Sequence, residues 1–200
     1  MIPPGVGALQ GAGERSAIVA AALDVVAVRG FRASALADIA ARVGVTPGRI
    51  LYHFGSTEAL LLAVVGERDR RAGALLAEVP PGDGLDQLRA VVRIAEMCEA
   101  QPGLAAVHTS LQIESLQPGT AAHQYFAARS RFLRTAVADV LARAQEAGVV
   151  TPGVDCPAMA VELLAFLEGA SVLWLTDPSV SLVGLYAGYI ESFIARVTAR

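Results

Sequence analysis

From Arg15 onward, apolar residues recur at three- and four-residue spacing. Ile18, Ala22, Val25 and Val26 share one face, with Leu23 at its border. That is the spacing of a helix with one buried stripe. Gly30 ends the run, and Phe31 follows as a core anchor. Ser34 stands at the N-cap of a second helix, whose Leu36, Ile39, Ala40 and Val43 point inward. Gly44 ends that helix. Thr46 then caps a third, very short helix with Pro47 at its first position, running to about His53. Gly55 breaks the chain, and Ser56 caps a fourth helix carrying Leu60, Leu61, Val64 and Val65.

The stretch from Pro80 to Gly84 is a loop by composition. Beyond it, Pro-Gly and Asp-Pro pairs punctuate helices near 85–100, 103–116, 119–147, 157–175 and 179–197. No strand pattern and no internal repeat stands out. Residues 1–13 are rich in Gly and Pro without a period, which predicts a disordered tail. The expected organisation is therefore all-α: the tail at 1–13, a three-helix head at 14–60, and a helical body at 61–200.

Composition sharpens this picture. Apolar residues make up 54% of the 200 residues and charged ones only 18%. Either the core is large for the length or part of the surface is covered by a partner. The formal charge is −3, which by itself does not suit a nucleic-acid binder. Its distribution does. From Arg15 to Phe54 five Arg face Asp24 and Asp38, whereas the remaining chain is acidic. A basic head on an acidic body fits a protein whose head alone meets phosphate. The chain has no lysine, so every cationic side-chain contact to phosphate falls to Arg.

The second and third predicted helices, joined by a tight Gly44-Val45 turn, make a helix-turn-helix candidate. A short helix exposed on one face can enter a major groove roughly 12 Å wide. Its N-terminus offers free backbone N–H groups to phosphate. Thr46 can cap the helix and also donate to DNA. Gly48 leaves room for a backbone approach, and Arg49 can fork onto guanine. Tyr52 and His53 carry polar tips suited to phosphate. Each has a plain alternative: Tyr52 as a core aromatic, His53 packed on Phe54 or capping the helix end, Arg49 as a solvated charge.

At these residues a resemblance becomes specific. The run from Ala37 to Leu60, with its Ile39-Ala40, Gly44-Val45-Thr46, Gly48, Tyr52-His53-Phe54 and Glu58-Ala59-Leu60 elements, resembles the DNA-binding head of the TetR family. The likeness is strong over about 15–65. Further on, only helicity, length and a stretch near 167–189 are similar to the family's C-terminal halves. The resemblance implies nine or so helices, a cytoplasmic homodimer, and operator binding as a repressor released by a small ligand. Ser34, Thr46, Pro47, Gly48, Arg49, Tyr52, His53 and Thr57 are the expected DNA-binding positions. Thr57 departs from the family's usual Lys at the start of the fourth helix. A hydroxyl makes a weaker phosphate contact than an ammonium.

For the ligand, the middle helices supply Met97, Leu104, His108, Leu111, Phe126 and Phe166 as expected wall residues, with Val107 and Phe132 beside them. The wall is mostly apolar, so the expected ligand is lipophilic. The last two helices have narrow polar faces and small residues such as Gly169, Gly184 and Gly188, which predicts a four-helix dimer interface. The alternative is a purely intramolecular core.

Other functions find little support. His53, His108 and His123 fall in no metal spacing, and neither Cys98 nor Cys156 has a readable base. No cofactor, metal or catalytic group is expected. A helical module that has lost DNA binding is the remaining rival. From Gly169 to Ile190 the chain is apolar enough to span a bilayer, but Asp177-Pro178-Ser179 interrupts it, so no membrane span is expected there.

Overall fold

A computed structural model describes residues 6–80 and 85–198, with the backbone alone described at 6–12, 28 and 29. The described residues form ten helical segments and no strand. The head consists of α1 (Val6–Arg29), α2 (Ala35–Val43) and α3 (Pro47–Phe54). The long helix α4 (Thr57–Ala77) leads into a body of α5 (Asp86–Arg89), α6 (Val92–Ala100), α7 (Pro102–Glu114), α8 (Ala121–Glu146), α9 (Cys156–Thr176) and α10 (Leu182–Thr198).

Three expectations about these elements change. The helix α1 starts at Val6, so Val6–Gly13 is helical where a disordered tail was expected; residues 1–5 lie outside the described residues. Extending an existing helix costs far less than nucleating one, so a stretch without proline can join it despite its glycines. Residues 81–84 of the expected loop also lie outside the described residues. The helix expected near 85–100 is two, because the hydrogen bonds tighten to three-residue spacing at Val91, Arg93 and Ile94. No glycine or proline marks that break. Finally, Ser34 occupies the N-cap position in a helical conformation and makes no side-chain capping bond. Thr46 and Ser56 do cap, accepting from the N–H groups of Arg49 and Ala59.

The turn between α2 and α3 rests on Gly44, at φ 76°. There the N–H groups of Gly44 and Val45 reach back to the carbonyls of Ala41 and Ala40, a left-handed helix stop that favours glycine.

Two apolar clusters organise the chain. One is built on Ile18, Leu23, Val26, Ile39, Ile50 and Leu60, and continues into Leu104, Val107 and Leu111 of α7 and Phe126 of α8. The head therefore shares its core with the body. The second cluster unites Leu88, Leu141, Leu163, Trp174, Ile190 and Phe193. Head and body backbones meet closely at Gly103. A β-carbon there would lie 2.2 Å from the Val26 carbonyl oxygen and 2.5 Å from the Gly30 nitrogen. Only glycine lets the start of α7 lie flush on the end of α1.

The apolar stretch from Gly169 to Ile190 is not one helix. The helix α9 stops at Thr176, and the Asp177 carboxylate accepts from the N–H and hydroxyl of Ser179. Among the described residues one helix, α9 itself, is long and apolar enough to cross a membrane by length and composition.

Candidate nucleic-acid interface and ligand cavity

The helix α3 buries Ile50 and Phe54 against the head core and leaves Thr46, Pro47, Gly48, Arg49, Leu51 and Tyr52 exposed. Apolar residues four apart fix the helix, and the remaining positions project outward. Tyr52 is 78% exposed, which sets aside its reading as a core aromatic. A β-carbon at Gly48 would meet only the Thr46 hydroxyl, at 3.9 Å, so the protein's own packing does not require glycine there. Ser34 is exposed at the start of α2, and Thr57 is half-buried at the start of α4.

Arg49 is not a free charge. Its Nε and Nη2 donate to the two carboxylate oxygens of Glu14, at 2.9 and 2.8 Å. Its guanidinium also lies 5.3 Å from the Tyr52 ring centre. The forked arginine contact holds the Glu14 carboxyl down to about 2, below the usual carboxylate range. His53 is largely covered rather than displayed, which corrects its expected place on the exposed face. Its Nε2 lies 3.1 Å from the same carboxylate, close enough for charge pairing but poorly aligned for a hydrogen bond. Three and four residues bring 49, 52 and 53 to neighbouring sides of one short helix, and 53 falls on the side facing α1.

A cavity of about 420 Å³ opens among α4 to α10, with most of its wall from α4, α6, α7, α8 and α9. That lies within the range of small-molecule sites, roughly 300–1,000 Å³. Most of its wall is apolar: Leu76, Leu88, Ile94, Leu133, Val137, Leu163 and Leu167 among others. Its polar side is an alternating chain of charges. Arg68 donates to Asp69 Oδ1 at 3.1 Å, Arg129 Nε to Asp69 Oδ2 at 2.9 Å, and Arg129 Nη1 to Glu168 at 3.0 Å. Tyr125 adds a hydroxyl bond of 2.7 Å to Asp69. Arg68 is buried, and its other terminal nitrogen contacts the Cys98 sulfur at 3.1 Å. Burial, reinforced by Arg68 and Arg129, pushes His108 well below its ordinary pKa, so it is neutral at pH 7.

Of the expected wall residues, His108 lines this cavity, and so does Phe132, which is nonetheless 71% exposed. The others do not. Leu104, Val107 and Leu111 face the head core, on the side of α7 next to the one that carries Ala105, His108 and Thr109. Phe126 packs edge-on against His108 and lines a smaller neighbouring cavity of about 230 Å³. Met97 lies off the face of α6 formed by Val91, Ile94 and Cys98, and Phe166 is stacked on Tyr189 at 3.6 Å. Helix phase decides each case, since a step of one residue turns a side chain by about 100°. The contribution of α4 was missed: Arg68, Asp69, Ala72, Gly73 and Leu76 all line the cavity. Its sequence signal was a charged run, Glu67 to Arg71, in the middle of α4, of which Arg68 and Asp69 turn toward the cavity.

The comparisons agree with this geometry. Residues 18–64 match the family described as bacterial regulatory proteins, tetR family, and residues 70–198 match the C-terminal region of BetI-type transcriptional repressors. None of the curated proteins matches the chain. Among solved structures, a TetR-family transcriptional regulator from Rhodococcus sp. is 25% identical, with a TM-score of 0.74 over 94% of this chain and 100% of that one. Thermus thermophilus FadR, a TetR-family repressor in complex with lauroyl-CoA, is 21% identical, with a TM-score of 0.62 over 93% and 96%. A transcriptional regulator from Saccharomonospora viridis in complex with choline is 22% identical, with a TM-score of 0.72 over 92% and 96%. A helix-turn-helix head on a helical, cavity-bearing body defines a one-component DNA-binding regulator. The chain belongs to the TetR family of transcriptional regulators.

Proposed function

We propose that this protein is a homodimeric, cytoplasmic repressor that leaves its operator when a small, lipophilic molecule fills the body cavity. It acts by binding rather than by catalysis. One observation carries the reading: α4 is a single helix with one end in each site. Thr57 begins it directly after α3, and Arg68, Asp69, Ala72, Gly73 and Leu76 on the same helix line the cavity. A ligand that favours a different seating of α4 changes where α3 sits. Moving from mostly bound to mostly released needs roughly a 10⁴-fold preference between the two states.

On DNA, Thr46, Pro47, Gly48, Arg49 and Tyr52 form the reading surface, with Ser34 and Thr57 contributing phosphate contacts at the starts of α2 and α4. His53 positions Glu14 and Arg49 from behind. A dimer presents two such helices to half-sites roughly 34–36 Å apart, or a multiple of that. The open faces of α9 and α10 support the dimer: Val161, Val172 and Leu173 are exposed, and among the described residues no other element lies within 4 Å of a β-carbon at Gly169 or Gly188. FadR, with its lauroyl-CoA, supports an apolar ligand body.

The test is fluorescence anisotropy on DNA from upstream of the protein's own gene, across a salt series, beside an Arg49→Ala, Tyr52→Ala double variant. Tight, salt-dependent binding lost in the variant is the expected result. Equal binding by the double variant would remove α3 as the reading helix.

A further inference from the structure

The polar wall of the cavity carries information about its ligand. Its two arginines and two carboxylates form a closed series, Arg68, Asp69, Arg129 and Glu168, in which each charge contacts the opposite sign. The hydroxyls of Ser171 and Tyr186 bond to each other and to the Leu167 carbonyl. One side chain on the wall is different. The ring of His108 lines the cavity, and its Nε2, covered by its neighbours, has no hydrogen-bond partner. The ring lies edge-on to Phe126, at 5.3 Å between centres. A buried nitrogen left unpaired is costly, and a group of this kind marks where something else is to bind.

We infer that the cavity takes an uncharged, largely hydrocarbon molecule with one hydroxyl-type oxygen, and that the His108 ring turns its Nε2 toward the cavity to hold that oxygen. This rests on the proposal that the cavity is the effector site. The charge argument comes first. The wall is already neutral as a set, so a carboxylate or an ammonium would bring an uncompensated charge into an apolar enclosure. Both acids are engaged by arginine, which leaves little to hold a cation. The tautomer argument follows. A neutral imidazole presents either a donor or an acceptor at Nε2, and a hydroxyl can answer both. A carboxylate can only accept. Size sets the hydrocarbon. A cavity near 150 Å³ encloses the six carbons of benzene, so 420 Å³ corresponds to about 17 carbon atoms at most.

The experiment is calorimetric titration of the full-length protein, without DNA, with 1-decanol, decanoate and decyltrimethylammonium. It is run on the wild type, on His108→Leu and on His108→Gln, each checked for a cooperative melt. We expect the alcohol to bind at least about ten-fold tighter than either charged probe. His108→Leu should lose about ten-fold in alcohol affinity, the worth of one hydrogen bond, and His108→Gln less. Tightest binding by decanoate or by the ammonium overturns the assignment, as does no binding by any of the three. Undiminished alcohol affinity in folded His108→Leu overturns it equally. If that variant does not fold, His108→Gln decides, because a buried amide keeps a hydrogen-bonding group there, and full loss of alcohol binding in it contradicts the inference. Alcohol binding that leaves an operator complex intact overturns ligand-controlled release alone and leaves this assignment standing.

Discussion

Glu14 and Arg49 are thirty-five residues apart in sequence and joined by two hydrogen bonds in space. The acid comes from the scaffold helix α1 and the base from the short helix exposed at the head. The pair fixes the position of Arg49, and it also places a negative charge at a surface proposed to meet phosphate. A forked contact of this kind orders the guanidinium, but it must be given up or shared if Arg49 is to reach a guanine. We expect Glu14→Gln to bind DNA roughly 3–10-fold more tightly, with a salt dependence steeper by about one charge. Anisotropy across a salt series reads both. Weaker binding by Glu14→Gln would show instead that the clamp holds Arg49 ready for DNA.

The same pair has a pH signature. The Arg49 contact lowers the Glu14 carboxyl to about 2. A carboxyl whose folded value is depressed adds stability above its unfolded value, near 4.5, and loses that contribution as pH falls toward 2. The clamp is therefore in place at neutral and mildly acidic pH. Titration of the Glu14 side-chain carbon by NMR should show its midpoint near 2. Arg49→Ala should return it toward the ordinary carboxylate range. A midpoint near 4.5 in the wild type would mean that the pair is not held in solution.

Thr57 begins α4, where the Ser56 hydroxyl caps the helix and its free N–H groups face outward. The site suits a phosphate even with a neutral side chain. Thr57→Lys adds a cation there, so we expect tighter DNA binding and a log–log salt slope steeper by about one. An unchanged slope would place residue 57 away from the backbone of bound DNA.

At Gly103 the backbones of head and body meet closely. A methyl group there must push backbone aside, not a flexible side chain. Such overpacking costs typically about 1–3 kcal/mol. Gly103→Ala should lower the midpoint of denaturant unfolding accordingly, and weaken DNA binding by loosening the seat of α1. Urea unfolding followed by circular dichroism measures the first effect. A midpoint equal to that of the wild type would show that α7 can withdraw from α1 at little cost.

The order of helices was legible because most boundaries carry their own chemistry, the α5–α6 break excepted. Thr46 with Pro47, the left-handed Gly44 and the Asp177-Pro178 stop are local signals, and the structure uses each of them. The face of α3 was legible for the same reason, since Ile50 and Phe54 fix its phase. What escaped the sequence was whatever depends on two helices at once. Glu14 closing on Arg49 and His53 needs the angle between α1 and α3. The cavity wall needs the phase of seven helices, and an apolar residue such as Leu104 or Phe166 reads the same whether it faces a void or a core. Gly103 had only the ordinary appearance of a Pro-Gly loop.

The face of α9 gives the last test. Leu173 is 49% exposed and Val172 and Val161 lie open on the same helix, although its other residues close the body core. Apolar side chains at this density on a long helix mark a surface that another surface covers. If the cover is a second copy, a charge there must be buried unpaired at a two-fold interface, where it meets its own image. We expect the wild type to sediment as a dimer at micromolar concentration and Leu173→Glu to sediment as a monomer with its helical content retained. DNA binding should fall with it, because two linked heads hold an operator far more tightly than one. A dimeric Leu173→Glu would place the interface elsewhere on the body and leave the exposed face of α9 to a different partner.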